Sequence, residues 1–176
     1  MTNLMEDLIA YDTTPPDEGY SPLEFGERVG RELPAELARQ LVVQCWASLP
    51  GSLAESFLEG FFETANIANL PSVLLGCLSS TREISSVCSI VGFLRTECEM
   101  TSVEIIRYSA DKLSGAMDGE TQNRLAYTIQ SVGGCLGSEA ERIAELLASG
   151  RLTDYARSCL EEACRLSEKS KVSGTD

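Results

Sequence analysis

The stretch TREISSVCSIVGFLRTE, residues 81–97, decides how the chain folds. Ile84, Val87, Cys88, Val91 and Leu94 recur at the three-and-four spacing that places side chains on one face of a helix. Ile90 and Phe93 add a second apolar face, and a helix apolar on more than one face has neighbours on more than one side. Thr81 reads as its N-cap, with Glu83 in the first turn. Gly92 reads as the point where a neighbouring backbone approaches closely.

The same periodicity extends in both directions. Ser21, Pro22 and Glu24 form a helix-start signature for residues 22–32. Pro34 opens a helix to about residue 49, with Leu37, Leu41, Cys45 and Leu49 in one row. Pro50-Gly51 stops it, and Ser52 reads as the cap of the next helix, to about 65. Pro71 opens a short apolar helix over 70–79. Further on, Thr101 or Ser102 caps a helix to about 113, followed by 121–135. Ser138 with Glu141 matches a capping box for 138–149, and Thr153 opens a last helix to about 167. No segment alternates with the period of a strand. The expected fold is all-α, with nine or ten helices of antiparallel neighbours joined by short loops. Residues 1–20 read as a short helix (3–11) and a Pro-rich arm, 21–167 as a single helical domain, and 168–176 as a disordered tail.

The central helix can be laid over later segments. A shift of 41 pairs Ile84 with Leu125, Cys88 with Ile129 and Val91 with Val132. A shift of 31 carries Leu125 to Ala156 and Ile129 to Leu160, and a backward shift of 45 sets Val91 on Trp46. Through Val-Gly-Phe-Leu (91–94), Val-Gly-Gly-Cys-Leu (132–136) and the helix pairs around them, residues 34–166 resemble the HEAT/armadillo-like class. That resemblance implies stacked antiparallel helix pairs, a short α-solenoid; an irregular helical bundle is the alternative. The unequal offsets depart from a regular array.

The chain has 176 residues and a net charge of −13, from 27 acidic and 14 basic side chains. Such a balance argues against nucleic acid or an anionic membrane as a direct ligand. No apolar run reaches the roughly 18–20 residues that span a bilayer. The acidic start lacks the basic-then-apolar pattern of a signal peptide, so a cytoplasmic protein is expected. Residues 1–63 hold twelve of the acids and three of the bases, and no Lys precedes Lys112. The seven cysteines show no C-x-x-C spacing and read as core residues in a reducing compartment.

Histidine is absent, which removes the commonest general base and metal ligand. No phosphate-cradling glycine loop or calcium-loop pattern occurs. Ser109 and Lys112 match S-x-x-K, without the companion motifs of that chemistry. No catalytic residue, metal ligand or cofactor site is expected. The expected function is a protein-binding module that masks or scaffolds a basic protein partner, toxin- or nuclease-like. In size, charge and lack of catalytic residues the chain is similar to the immunity proteins that neutralise bacterial toxins. Asp17, Glu18, Tyr20, Glu24 and Glu27, acids clustered around an aromatic, are the candidate contacts. One alternative is an adaptor or self-associating subunit, a homodimer that covers Phe57, Phe61, Phe62, Val73, Leu74 and Leu75. Another is a carboxylate-dependent helical enzyme. If residues 81–97 carry the core, Val91→Asp costs several kcal/mol by burying an unpartnered carboxylate; loss of a cooperative thermal melt is the expected result.

Overall fold

The computed structural model describes Glu6 and residues 21–132 and 136–173. Among them are nine α-helices, one 3₁₀ turn and no strand, as the periodicity requires. The helices are α1 (Pro22–Glu32), α2 (Ala35–Ser48), α3 (Gly51–Thr64), α4 (Leu70–Cys77), α5 (Ser86–Thr96), α6 (Ser102–Gly115), α7 (Gly119–Ser131), α8 (Ala140–Ala148) and α9 (Asp154–Ser173). The 3₁₀ turn, Gly137–Glu139, leads into α8. The chain forms two compact units, Met1–Ser89 and Ile90–Asp176, whose division falls inside α5. The expected helix at 3–11 and the Pro-rich arm lie outside the described residues. Helix α9 continues to Ser173, six residues beyond the end expected from its apolar spacing.

In the first unit α1 packs on α3, and α2 packs on both α3 and α4. The α1–α3 contact is made backbone to backbone. A Cβ on Gly60 would lie 2.0 Å from the Leu23 carbonyl oxygen, and one on Gly26 would lie 2.0 Å from the Phe57 carbonyl oxygen. The Thr64 hydroxyl donates to the Glu27 carbonyl at 2.8 Å across the same crossing. Beside it the Phe25 and Phe57 rings meet edge to face, with centroids 6.0 Å apart. Gly92, expected to provide such an approach, meets nothing within 4 Å. Close packing is needed where two helices cross, and Gly92 lies on the exposed side of α5.

Thr81 does not cap α5, which starts five residues later. Residues 81–83 instead close the junction of α2 and α3. The Arg82 N–H donates to the Trp46 carbonyl at 2.8 Å, the Thr81 hydroxyl to the same oxygen at 3.3 Å, and the Arg82 guanidinium to the Ser48 carbonyl at 2.9 Å. The Glu83 carboxylate accepts from the Gly51 N–H at 3.4 Å, a capping role expected of Ser52. The last carbonyls of a helix lack intrahelical donors and its first amides lack acceptors. A cation at the α2 C-terminus and an anion at the α3 N-terminus also oppose the two helix dipoles. That demand outweighs the local capping preference of Thr81.

In the second unit α6 packs on α7 and α8, and α9 packs on α7 and α8. Thr101 and Glu104 form a capping box for α6; hydrogen bonds from Thr101 hold the Glu104 carboxyl below its ordinary value of 4.5. Asp118 caps α7 through the Thr121 N–H, and Thr153 caps α9 through the Ala156 N–H. The Ser138–Glu141 capping box does not form, because Gly137 at φ +51° turns 137–139 into a 3₁₀ helix. The Glu139 carboxylate is buried there and meets the Arg107 guanidinium at 2.9 Å. Gln122, 6% exposed, donates to the Ala116 and Arg151 carbonyls and accepts from the Thr153 N–H.

A repeat is present in the burial pattern, in a register different from the one expected. Ala54, Phe57, Leu58 and Phe61 on α3 match Val87, Ile90, Val91 and Leu94 on α5. They also match Gln122, Leu125, Ala126 and Ile129 on α7, and Ala156, Cys159, Leu160 and Ala163 on α9. All sixteen are buried, at successive offsets of 33, 35 and 34. The preceding helices behave alike: Val42, Cys45, Trp46 and Leu49 recur as Leu74, Cys77, Leu78 and Thr81, then as Ile106, Ser109, Ala110 and Leu113. Both offsets are 32, and Glu139, Ile143 and Leu146 follow at 33. The shift of 41 fails because it pairs the exposed Cys88 with the buried Ile129, and the shift of 45 joins helices of different kinds. Apolar residues on any two amphipathic helices align; only burial identifies which turn faces inward. The six apolar residues from Phe57 to Leu75 expected to demand a partner are buried or half-buried within the chain.

Two glycine substitutions separate close approach from mere helix composition. Gly60→Ala is expected to lose about 1–3 kcal/mol by overpacking α1 against α3. Gly76→Ala, where an added Cβ meets nothing, is expected to gain about 0.5–1 kcal/mol. Urea unfolding of the two variants measures both.

Candidate functional site

The sequence-predicted contacts divide into two groups. Asp17, Glu18 and Tyr20 lie outside the described residues. Glu24 and Glu27 stand on α1, which the glycine crossing holds against α3. The Glu24 carboxylate accepts from the Ser21 N–H at 2.7 Å and from its hydroxyl at 3.0 Å, completing the capping box that the sequence signalled. Glu27 is half-buried and pairs with Arg31 at 2.8 Å. Both carboxylates therefore have local work: one starts the helix and the other is neutralised by its own helix.

Helix α3 carries a second acidic row that sequence reasoning passed over. Leu53, Ala54, Phe57, Leu58 and Phe61 face inward, which leaves Glu55, Glu59 and Glu63 exposed at i, i+4, i+8. Like charges at that spacing destabilise a helix by roughly 0.2–0.5 kcal/mol per pair. Glu55 accepts from the Ser89 hydroxyl at 2.8 Å. Glu59 and Glu63 take part in no ion pair or hydrogen bond among the described residues. The signal was present in the Glu-x-x-x-Glu-x-x-x-Glu spacing; only the inward turn of Phe57 and Phe61 shows that the row faces water.

Among the described residues each unit has an open cleft. The first, about 340 Å³, lies over the N-terminus of α3 between Ser52, Glu55, Glu83, Ser85, Ser86 and Ser89. Its carboxylates already accept hydrogen bonds from Gly51 and Ser89, so it is built as a helix-end closure. The second, about 290 Å³, is bounded by Leu113, Met117, Arg142, Glu145, Leu146 and Arg151. Arg142 there pairs with Asp111.

Chemistry elsewhere is sparse. Among the described residues no group of three or more Cys, Asp or Glu side chains could hold a metal ion. The S-x-x-K pair is not assembled: the Ser109 hydroxyl is buried without a partner, and the Lys112 ammonium lies over the Tyr108 ring, 5.7 Å from its centroid. Cys45 and Cys77 are buried, and burial pushes both thiols up, Cys77 to about 12, so neither ionises near neutrality. No helix among the described residues is long and apolar enough to cross a membrane.

No known protein family, curated protein or solved structure matches the chain. Ser109→Ala removes a buried hydroxyl that has no hydrogen-bond partner. It is expected to be neutral or to stabilise by about 1 kcal/mol, read from the urea midpoint.

Proposed function

We propose that the chain is a protein-binding module whose acidic α1–α3 face engages a basic protein partner. The carrying observation is the exposed row Glu55, Glu59 and Glu63, two of whose members make no ion pair or hydrogen bond among the described residues. A row of like charges costs helix stability and returns none to the fold, whereas a basic partner would convert it to attraction. Electrostatic complementarity of this kind speeds encounter and fixes register more than it adds affinity.

Repeated helix pairs suit this role, since they build an extended surface from local contacts. The spacing of 32–35 residues is shorter than the roughly 40–47 of HEAT and armadillo repeats and near the about 34 of tetratricopeptide pairs. The repeating unit is a helix pair. The inhibitor reading, a cytoplasmic immunity-type protein that masks a basic toxin or nuclease, rests on size, acidity and the exposed row. Association with nucleic acid or an anionic membrane runs against the same charge.

Glu59 and Glu63 test this better than Glu24 and Glu27, because reversing them leaves the capping box and the Glu27–Arg31 pair intact. The double variant Glu59→Lys/Glu63→Lys should weaken capture of the chain's basic partner by about tenfold or more. Binding of the unaltered chain should weaken as salt rises. Unchanged affinity of the double variant for the recovered partner, at low salt, sinks the acidic-face reading.

A further inference from the structure

We propose that the cleft between α6 and α8 binds an apolar α-amino acid, held at its ammonium by Glu145 and at its carboxylate by Arg151. The cleft lies wholly in the second unit, at the C-terminal ends of the two helices. Its volume of about 290 Å³ is at the lower edge of the roughly 300–1,000 Å³ of small-molecule sites, which suits a ligand of this size. Leu113 and Leu146, both buried, line it together with the half-buried Leu152. Met117 also lines it, with 96% of its surface in water. An apolar side chain seated on the leucines would cover part of that methionine.

The walls are fixed by the chain itself. The Gln122 side chain donates to the Ala116 carbonyl at 3.0 Å and to the Arg151 carbonyl at 3.3 Å, and accepts from the Thr153 N–H at 3.0 Å. It thereby ties the α6–α7 loop to the α8–α9 loop. The Arg151 N–H donates to the Ser149 hydroxyl at 3.4 Å. A preorganised site spends less of the binding free energy on ordering its own groups.

Charge decides the ligand class. Of the six arginines that follow α5, five have a partner for the guanidinium. Arg107 meets Glu139, Arg124 meets Glu120, Arg142 meets Asp111, Arg165 meets Glu162, and Arg157 donates to the Leu147 carbonyl. The Arg151 guanidinium makes no ion pair or hydrogen bond among the described residues, although its backbone is held at both N–H and C=O. The Glu145 carboxylate makes none either, and the two line one cleft without pairing with each other. Because Asp111 already neutralises Arg142, one cation and one anion remain beside the leucines. A simple carboxylate would gain Arg151 and face Glu145, and a simple amine would do the reverse. A zwitterion satisfies both through charge-assisted hydrogen bonds, and its apolar side chain takes the rest of the space.

NMR titration of the whole chain with L-leucine, L-methionine and L-phenylalanine into the millimolar range tests this, following the amides of Ala116, Glu145, Arg151 and Leu152. At least one of the three should shift these amides saturably, and glycine, which lacks the apolar group, should bind about tenfold or more weakly. The N-acetyl and carboxamide derivatives of that amino acid should each bind about tenfold or more weakly, since each loses one charged contact. Glu145→Gln should close the gap between the amino acid and its N-acetyl derivative, and Arg151→Gln the gap to the carboxamide. Circular dichroism melts report whether the variants fold; where one does not, the derivatives on the unaltered chain decide alone. No saturable shift with any of the three amino acids overturns the proposal. Glycine or either derivative binding as tightly as the parent overturns it too, as do folded variants that leave both gaps unchanged.

Discussion

Short helices have many ends, and every end leaves backbone amides or carbonyls without partners. This constraint organises the molecule. The nine described helices, most of fourteen residues or fewer, require donors and acceptors from outside themselves. Some are local, as at Ser21, Thr101, Asp118 and Thr153. Others come from a distance: Arg82 and Thr81 on the end of α2, Glu83 on the start of α3, Gln122 on the loop carbonyls of Ala116 and Arg151. Gly51 and Glu83, Ser89 and Glu55, Thr64 and Glu27, Arg107 and Glu139, and Gln122 and Arg151 stand 29 to 37 positions apart. That is about one repeat of the burial pattern. Within each unit these contacts join a helix end or face to the segment about one repeat away, the range over which repeat proteins gain nearest-neighbour stability.

The first unit adds a division of charge to this scheme. Its α1 and α3 carry the carboxylates and join through glycines, while α2 and α4 present almost none. The glycine crossing lets α1 lie close enough that Thr64 reaches the Glu27 backbone. The acidic side chains of both helices are thereby carried by one tightly joined pair.

Much of this was legible from residue order. Periodicity of 3.6 identified every described helix, and the Ser21-Pro22-x-Glu24 signature located the start of α1. The acidic bias of the first third was also visible, and two of its chosen residues fall on α1. What escaped was the role of individual side chains. Thr81 looks like a cap by composition and serves as a buried strap. Ser138 and Glu141 have capping-box spacing, but the turn at Gly137 withdraws them. Glu55, Glu59 and Glu63 were countable, yet nothing in their spacing says which side of α3 meets water.

Residue order by itself determined the helical class, the approximate breaks at Pro and Gly, and the excess of acid in the first third. These follow from local propensity and composition, which act within a few residues. Tertiary structure alone decided the register of the repeat, the work done by Thr81, Arg82 and Glu83, and the choice of Gly26 and Gly60 over Gly92 as points of close approach. The physical reason is common to all three. An amphipathic pattern tolerates rotation of a helix by a residue or two, and a polar side chain can satisfy either its own helix or a distant one. Packing against a particular neighbour removes that freedom, and so residues 81–97, which announced a helix, supply in their first five positions the closure of two others.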